Sequence, residues 1–562
     1  MFSIVSNLAS RLTSPQIRCK ASKCLSFPFH LFTIMPSQVN VGLILFAVFL
    51  GYKLLTQKSA KLPFPPGPKG LPILGSAFSM PTSHVWIGFN EWAKTWGPIM
   101  SFTAMGARYV LVSDYKIADE MLGKTGSEYA DRPSLEMAKL SGWDRALSLM
   151  TYGDKLREYR KLIGRVIGTR GNMSRFDSVE EYQANMFVKR VLDNPTDAAG
   201  AIRKTAGAMI LHLTYGYKIQ ETGVDPLVNL ADEAMADFGD ITRPGAYIVE
   251  LFPFLRNIPA WFPFFSFKKR ALECIDTCNA LSDIPFAFCE QQLEKGEENN
   301  SFCAALLKDE AMTKDHLNEL KWAAASFYAA GSDTVCRQLY VPVSVFANYR
   351  AKKTVSVIYC YFLACCIYPD IQRKAQAEVD RVVGKDRLPT LADRDSLPYV
   401  AAVIKELYRW LPIIPLAVPH RATRDTIYKD YFIPKGTDVI VNVWKYLHDP
   451  VEYPDPFTFN PERFFGPNPA PAPHDRGLFG YGRRICPGIH LPLPMNNLQA
   501  EVSVFINVVK AVAALQIQCP LDANGKPIVP TPKRPVEFKC TVKPRSQHVV
   551  GLLEETLRTS EV

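Results

Sequence analysis

The sequence predicts a large globular body with helical segments and one region of short β-strands. Hydrophobic residues make up 48% of the 562 residues and charged residues 21%, the balance of a chain that buries a core. Glu406 and Arg409 stand at positions i and i+3 of the segment VIKELYRW, where side chains share one face of a helix. Apolar positions alternate between Pro419 and Pro456, around the turn IPKGT, as in short strands. Length alone leaves open whether the body is one composite domain or several.

The net charge and the cysteine pattern limit the classes of partner and the cellular compartment that we expect for this protein. The formal net charge of +10 would suit nucleic acid, an anionic membrane surface or an acidic protein partner. No recognition-helix or zinc-finger pattern accompanies it, so we expect no nucleic-acid binding. The 13 cysteines are an odd number without regular spacing, and they include the adjacent pair Cys365 and Cys366. We therefore expect reduced thiols in a domain that faces the cytosol.

The N-terminal region predicts a transmembrane anchor at residues 39–55. This apolar run of about 17 residues reaches the lower limit for a bilayer span, and a buried core helix is the alternative at that length. The proline-rich segment 56–76 then reads as a stiff linker to the body, because proline cannot continue a helix. Since lysines follow the span, the positive-inside rule orients the body towards the cytosol.

Residues 1–38 form a basic N-terminal extension without an acidic residue. By composition this extension could be a mitochondrial presequence, but Met35 is an ordinary start for a signal anchor. We therefore expect residues 1–34 to come from an upstream start codon and not to be translated. The expected location is the endoplasmic reticulum membrane, as a single-pass protein, with a mitochondrial location as the alternative.

The strongest functional signal is the segment FGYGRRICPGIHL. It matches F-x-x-G-x-R-x-C-x-G at every fixed position, namely Phe479, Gly482, Arg484, Cys486 and Gly488. A thiolate that binds iron is tuned by backbone amides directed at its sulfur, and glycines let the main chain approach that closely. A stray cysteine in a glycine-rich loop is a poor explanation for so complete a match.

This segment resembles the haem-binding loop of the cytochrome P450 family, and the resemblance covers most of the chain. It implies a mainly α fold with a small β part, with one haem domain at residues 77–546 and a C-terminal tail at residues 547–562. It also implies haem b as the cofactor, with Cys486 as the axial thiolate ligand of the iron. Arg484 is expected to neutralise a haem propionate, and Phe479 to cover the proximal face and exclude water.

A second set of residues resembles the cluster that, in this family, locks the core beneath the haem. Glu406 and Arg409 share a helical face, and Arg463 of the segment FNPERFF follows at a family-like distance. The resemblance implies a structural role for all three residues. A surface ion pair is the simpler alternative.

Three further residues are candidates for haem binding by the same resemblance. His420 or Arg421 would reach a propionate from the predicted strand region. Arg160 of YGDKLREYRKL matches the arginine of the family's W-x-x-x-R helix. Leu156 stands at the tryptophan position of that motif, so this sequence departs from the family pattern there.

The segment KWAAASFYAAGSDT resembles the oxygen-activating helix of the family. The resemblance implies space for dioxygen above small residues, and proton relay by Asp333 and Thr334 during cleavage of the O–O bond. Residues 335–353 then interrupt the family pattern and contain Pro342, which breaks or kinks a helix. Deleting them restores the family-like sequence AGSDT-TVSVIYC. Codons at both ends permit splice sites, so we expect a retained intron, and a genuine insertion from a broken helix is the alternative.

The chain looks closest to fungal microsomal members that act in secondary metabolism or xenobiotic oxidation. The resemblance implies a monooxygenase that uses O2 and electrons from an NADPH–cytochrome P450 reductase docked near Arg483. Trp143 and residues 415–418 are apolar pocket candidates, which indicates a hydrophobic small-molecule substrate. The aromatic run Ile258 to Arg270 suits a lipid interface, or else the core. The alternative functions are a haem-thiolate isomerase or dehydratase, and a haem-binding protein inactivated by the insertion.

Overall fold

The computed structural model describes residues 62–560 except 73, 169, 244, 263–265, 311, 314–315, 335–356, 489–498 and 531–537. The predicted extension 1–38, the predicted anchor 39–55 and the predicted insertion 335–353 lie outside the described residues. Within the described part of the chain, no helix is both long enough and apolar enough to cross a bilayer.

Helices form most of the described body and are labelled α1 to α17 in chain order. They are Val85–Trp96, Tyr115–Ala118, Glu136–Leu140, Asp154–Ile167, Arg170–Met173, Asp177–Asp193, Ala198–Tyr215, Pro226–Ile241, Ser266–Glu294, Phe302–Leu307, Leu317–Thr334, Val357–Ile367, Pro369–Val382, Pro398–Trp410, Val443–Leu447, Gln499–Ala514 and Gln547–Thr559. Several turns of 3₁₀ helix connect them. The mainly helical fold predicted from the sequence is confirmed.

The β part is small. Its described strands β1 to β8 are Ile99–Ala104, Ala107–Val112, His420–Arg421, Thr426–Tyr428, Tyr431–Ile433, Asp438–Val441, Leu515–Gln518 and Thr541–Pro544. A four-stranded sheet has the order β1-β2-β6-β3, in which β2 and β6 are parallel and the other neighbours antiparallel. The pairs β4–β5 and β7–β8 are antiparallel. The strands predicted between residues 419 and 456 are present as β3 to β6.

The hydrophobic patterns of two helices explain their positions. Helix α12 is apolar around its whole circumference and is buried along almost all of its length, as expected of a helix inside the core. Helix α4 is amphipathic and buries Leu156, Tyr159, Ile163 and Val166 on one face. It packs against α11, and α11 packs against α7 and α9. This packing holds α11 within the helical core.

The proline-rich segment packs on the body from Pro63 onwards. The carbonyl oxygen of Pro63 accepts from the backbone N–H of Phe432 at 2.9 Å, and that of Pro66 accepts from Ser101 at 2.8 Å. A Cβ added at Gly67 would collide with the Ser101 carbonyl oxygen. Prolines suit this position because the segment supplies acceptors and no N–H donors are needed. The segment is part of the fold here, which differs from the linker boundary predicted at residue 76.

The predicted C-terminal tail contains a helix that joins the body. Helix α17 packs against α6, α16 and β8 and buries Leu553. Its first turn is capped by the Ser546 side chain, which accepts from the Val549 N–H at 3.2 Å. The folded body therefore continues past the predicted boundary at residue 546.

Candidate active site

The candidate ligand Cys486 ends a tight loop that begins at Phe479. The Cys486 N–H donates to the Phe479 carbonyl oxygen at 2.8 Å and closes the loop around a 3₁₀ turn at Gly482–Arg484. The Cys486 side chain is half-buried, and a Cβ added at Gly488 would lie 3.5 Å from its sulfur. A side chain at position 488 would therefore contact the sulfur.

Gly482 and Phe479 pack against elements outside this loop. Gly482 has a φ of +50°, and a Cβ there would collide with the carbonyl oxygen of Leu122. This glycine permits close packing on residues 119–124, whereas the motif argument assigned it to the approach to the sulfur. Phe479 meets Tyr408 of α14 edge to face, with ring centroids 5.9 Å apart. Tyr408 is buried where it contacts Phe479, and this burial raises the pKa of its hydroxyl group.

Arg160 reaches the loop from α4. Its Nη1 donates to the carbonyl oxygen of Ile485, the residue before Cys486, at 2.8 Å. Burial lowers the pKa of Arg160, and the nearby Cys486 thiolate opposes that shift. Leu156, at the position where the family motif has tryptophan, is buried in the core. Arg160 therefore lies beside the candidate ligand even though the motif is incomplete.

Arg132 and Arg484 are buried together with His420, a histidine whose pKa burial lowers, and the three residues are called the cation cluster below. Arg132 donates through Nη1 to the carbonyl oxygens of Val418 and Pro419 at 2.7 and 2.8 Å. The Nδ1 atom of His420 is 2.9 Å from the carbonyl oxygen of Tyr129. Because the three side chains come from distant parts of the sequence, only the tertiary fold brings them together.

Arg484 ties this cluster to α11 through the segment around Leu147. Its Nε donates to the Ala130 carbonyl oxygen and its Nη2 to that of Met150, both at 2.6 Å. Its Nη1 donates to the Leu147 carbonyl oxygen at 3.4 Å. The N–H of Leu147 in turn donates to Oγ of Ser326 on α11 at 3.0 Å.

The cation cluster fits an anionic group. Burial and the nearby Arg484 lower the pKa of Arg132 to about 9, and burial lowers that of Arg484 to about 10. Burial and both arginines also lower the pKa of His420. The Asp131 carboxyl opposes the arginine shifts, but it accepts from backbone N–H groups. Among the described residues, the side-chain hydrogen bonds of both arginines go to backbone carbonyl oxygens and not to a carboxylate. The propionates of haem b would supply the missing negative charge, so these residues fit that cofactor.

Arg421 differs from its neighbour His420. Its Nε and Nη2 donate to Oδ1 and Oδ2 of Asp438 at 2.6 and 3.1 Å. Burial opposes the charged state of Asp438 and raises its pKa, and Arg421 offsets part of that shift. The charge of Arg421 is therefore already compensated. Of the two residues predicted as alternatives for a propionate contact, the structure brings His420 into the cluster and pairs Arg421 elsewhere.

Glu406, Arg409 and Arg463 are also brought together, and they are called the carboxylate cluster below. Arg409 donates through Nε and Nη2 to the two Glu406 oxygens at 2.7 and 2.8 Å. Arg463 donates through Nε to Glu406 Oε1 at 3.2 Å. The Glu406 and Arg409 side chains are 0% exposed, so the alternative of a surface ion pair does not apply. Arg409 and Arg463 also donate to carbonyl oxygens of residues 454–458, which joins α14 to that segment.

The candidate proton-relay residues Asp333 and Thr334 end helix α11, and their side chains lie outside what the structure describes. One turn earlier, a Cβ added at Gly331 would lie 2.5 Å from Cδ1 of Ile210 on α7. Packing between the two helices therefore demands a small residue at Gly331. The sequence argument had assigned small residues in this segment to space for dioxygen.

Arg132 is the member of the cation cluster that the sequence analysis missed. It belongs to no motif that was singled out there, and its partners at Val418 and Pro419 are distant in sequence. The cue available in the sequence was that Val418 and Pro419 directly precede His420, itself a candidate. That adjacency identifies the segment that accepts the hydrogen bonds, but it does not identify Arg132 as the donor.

A half-buried thiol loop beside buried cations, on a mainly helical scaffold, is the arrangement of the haem-thiolate class of proteins. The Cytochrome P450 family model matches residues 65–341 and 351–498. The chain is 40% identical over 544 residues to cytochrome P450 monooxygenase 208 of Postia placenta, covering 95% of this chain and 99% of that protein. It is 36% identical over 529 residues to cytochrome P450 monooxygenase claR of Ampulloclitocybe clavipes, covering 92% and 93%. It is 37% identical over 508 residues to cytochrome P450 monooxygenase CLM2 of Gibberella zeae, covering 87% and 90%.

The chain belongs to the cytochrome P450 family. Its relatives are fungal monooxygenases, so the enzyme class and the haem b cofactor with cysteine thiolate ligation that the sequence predicted are confirmed. The two stretches that match the family model are separated by residues 342–350, which fall inside the predicted insertion. The gap in the family match therefore lies within the segment singled out in the sequence, and the match itself includes residues 335–341 and 351–353 of that segment.

Proposed function

We propose that this protein inserts one oxygen atom from O2 into a hydrophobic small molecule, with Cys486 as the axial ligand of haem b and an NADPH–cytochrome P450 reductase as the electron donor. The observation that carries the proposal is the loop of Cys486 beside a buried cation cluster without a carboxylate partner among the described residues. A cysteine loop alone would fit many reactive thiols. The adjacent arginines, whose charge Asp131 offsets only in part, favour an anionic ligand, and haem b is one.

Each part of the site has a task in this proposal. Haem b, when bound, supplies the iron centre at which dioxygen is reduced and cleaved. Arg132, Arg484 and His420 hold the propionates, and Arg160 fixes the loop by its bond to Ile485. Phe479 and Tyr408 exclude water from the sulfur side. Asp333 and Thr334 deliver protons from the end of α11.

The proposed substrate is a hydrophobic secondary metabolite, terpenoid, steroid-like compound or aromatic xenobiotic. Trp143 and Leu416, two of the apolar pocket candidates, are buried. Trp143 meets Phe238 of α8 edge to face at 4.9 Å, and its indole N–H has no hydrogen-bond partner among the described residues. Such a donor would favour a substrate with one acceptor on an otherwise apolar skeleton.

The proposed location is the endoplasmic reticulum membrane, with the body in the cytosol. Support comes from the apolar run at residues 39–55 and from the aromatic segment before α9, where Trp261 is 79% exposed. A mitochondrial location remains the alternative because of the composition of residues 1–34. The exposed Arg483 in the ligand loop is the proposed docking point for the acidic face of the reductase.

A haem-binding protein without turnover is the second candidate function. The observation that favours it is the gap in the family match at residues 342–350, which lies inside the predicted insertion 335–353 and is separated from Thr334 by residues 335–341. If these residues are translated, the helical turn that orients Thr334 is lost and turnover falls. If they are a retained intron, the spliced message encodes the active form. Sequencing the transcript separates these cases, because a message with the codons in frame and no shorter form contradicts the intron.

The test is the reduced carbon-monoxide difference spectrum of the full chain and of the form without residues 335–353, both expressed in yeast microsomes. We expect a red-shifted thiolate Soret band in the deleted form, and its loss in Cys486→Ala. Cys540→Ala is the matched control, because Cys540 is also half-buried and lies outside the ligand loop. A band that survives Cys486→Ala, or is absent from a deleted form that carries haem, would overturn the ligand assignment.

Turnover distinguishes the remaining enzyme class. A haem-thiolate isomerase or dehydratase would convert its substrate without NADPH or O2. The proposed monooxygenase requires both, and its product gains one oxygen atom, which isotope-labelled dioxygen detects by mass spectrometry. Unlabelled product formed without NADPH would reject the monooxygenase reaction.

A further inference from the structure

Two cysteines flank the last pair of the β7–β8 ladder, one at the end of each strand. The register pairs Gln518 with Thr541 as the last residues of the two strands. Cys519 follows β7 directly and Cys540 precedes β8 directly, so one further step along the same register pairs Cys519 with Cys540. Both are thiols in the structure and both are half-buried.

The hydrogen bonds along this pair show which kind of position the cysteines occupy. Both backbone groups of Ile517 bond to the side chain of Gln372, at 2.9 and 3.0 Å, and so point away from β8. Ile517 and its partner Val542 are therefore a non-hydrogen-bonded pair. At the other end, the Arg545 N–H donates to the Ala514 carbonyl oxygen at 2.9 Å, as in a hydrogen-bonded pair.

Hydrogen-bonded and non-hydrogen-bonded pairs alternate along an antiparallel ladder. The hydrogen-bonded pair of Ala514 with Arg545 and the non-hydrogen-bonded pair of Ile517 with Val542 agree with a single alternation along β7 and β8. Cys519 and Cys540 lie two steps beyond Ile517 and Val542, so they also form a non-hydrogen-bonded pair. Cα atoms of such pairs are about 4.5 Å apart and the side chains approach each other closely. This spacing lies within the range of about 4.4 to 6.8 Å that a disulfide requires.

The surroundings orient one thiol and keep both protonated. The Cys519 Sγ–H donates to the carbonyl oxygen of Cys366, at the end of α12, at 3.1 Å. Burial raises the pKa of Cys519, and it raises that of Cys540 to about 11. Because thiolates are the reactive form, both residues stay reduced at neutral pH until an oxidant is supplied.

We propose that Cys519 and Cys540 form a cross-strand disulfide when the protein meets a two-electron oxidant of the peroxide class. The Cys519 thiolate attacks one peroxide oxygen and the O–O bond breaks, which gives a sulfenic acid and, with the thiol proton, water. The Cys540 sulfur then displaces the sulfenic hydroxyl as a second water and forms the S–S bond. The two thiols lose two electrons and two protons, and hydrogen peroxide becomes two waters.

The disulfide would link the chain on either side of residues 520–539. Two residues before Cys540, the Phe538 N–H donates to Oη of Tyr359 on α12 at 3.1 Å, and the two rings lie 4.7 Å apart. Fixing both cysteines would hold that contact in place. The oxidised form should therefore lose two titratable thiols per chain without losing its secondary structure.

The experiment treats the full-length protein in yeast microsomes with hydrogen peroxide at mildly alkaline pH, blocks the remaining thiols and maps the peptides by mass spectrometry. Trypsin cleaves after Lys539, so Cys519 and Cys540 fall into separate peptides. We expect a linked pair of these peptides that disappears on reduction and in Cys519→Ala or Cys540→Ala. Cys303→Ala, which removes a buried thiol of α10, should keep the link.

Other linkages would overturn the proposal. Cys366 lies beside Cys519, so Cys366→Ala is the discriminating variant. The cross-strand link survives in it, whereas a Cys366–Cys519 link is lost and would show that the register argument is wrong. Blocking reagent on both Cys519 and Cys540 after oxidation would show that no disulfide forms. The readout needs neither haem nor turnover, so its failure leaves the proposed function intact.

Discussion

The carboxylate cluster and the cation cluster use the same kind of side chain in opposite ways. In both, buried arginines donate to backbone carbonyl oxygens from distant parts of the chain. In the carboxylate cluster, Glu406 also accepts from both arginines, so the opposing charge is supplied within the fold. In the cation cluster no described carboxylate does this for Arg132 or Arg484.

This difference separates a structural site from a ligand site. A buried charge is costly unless it is paired, so the carboxylate cluster is complete as it stands and fixes α14 to residues 454–460. We expect an anionic ligand to complete the cation cluster. The balance of buried charge, rather than the presence of arginine, therefore indicates which cluster binds a ligand.

The largest effect is expected from Glu406→Gln. This change leaves Arg409 and Arg463 buried without their carboxylate, and breaking a buried pair in this way destabilises a protein by about 3 to 5 kcal/mol. We expect little folded protein in microsomes and no thiolate Soret band. The measurement is the amount of protease-resistant protein together with the urea midpoint of what remains.

Glu462→Gln is the matched control for this prediction. Glu462 pairs with Lys374 on the surface, where both side chains are more than half exposed at 55% and 56%. Such pairs contribute at most about 1 kcal/mol. If the two variants lowered stability equally, burial of the carboxylate cluster would not explain its importance.

Arg132→Gln should weaken haem retention without unfolding the protein. A hydrogen bond to a charged group contributes about 1.5 to 3 kcal/mol, which corresponds to about a tenfold to hundredfold faster loss of haem. Transfer of haem to an excess of apomyoglobin measures that rate. The form without haem should lose little stability, because burial already disfavours the charged guanidinium.

Arg421→Gln sharpens the same comparison. Arg421 is close in sequence to the cation cluster, but its charge is bound by Asp438. We expect this variant to lower stability while haem transfer stays near the unaltered rate. If Arg421→Gln and Arg132→Gln accelerated haem loss equally, the ion pair with Asp438 would not distinguish the role of Arg421 from that of Arg132.

Sequence reasoning succeeded where the signal is local. The loop of Cys486 and the helical spacing of Glu406 and Arg409 are set by neighbouring residues, and the structure has both. The alternation between residues 419 and 456 likewise gave the strands β3 to β6. These patterns depend on backbone periodicity, which a single sequence records directly.

The failures share a different physical cause. The pairing of Arg421 with Asp438, the packing of Gly482 on Leu122 and the contact of Pro66 with Ser101 all join residues that only the tertiary fold brings together. No periodicity records such partners. Arg132 was missed for the same reason, since its place in a charge cluster depends on neighbours from other segments.

The smallest expected effect concerns the pH dependence of stability beside the carboxylate cluster. Burial, followed by repulsion from Arg409, lowers the pKa of His448 to about 3. The unfolded chain binds a proton near pH 6.5 and the folded chain does not, so stability is complete above that pH and is lost as pH falls. His448 alone should account for about 1 kcal/mol between pH 6.5 and 5.5.

His448→Gln should remove this contribution and flatten the pH dependence of the urea midpoint over that interval. His548→Gln is the matched control, because His548 is exposed on α17 and meets water in both the folded and the unfolded chain. Since Arg409 and Arg463 remain paired with Glu406, the proton of His448 is excluded by burial and by the nearby cations together. An unchanged slope in His448→Gln would mean that His448 binds protons equally in the folded and the unfolded chain, so that neither burial nor the nearby arginines lower its pKa.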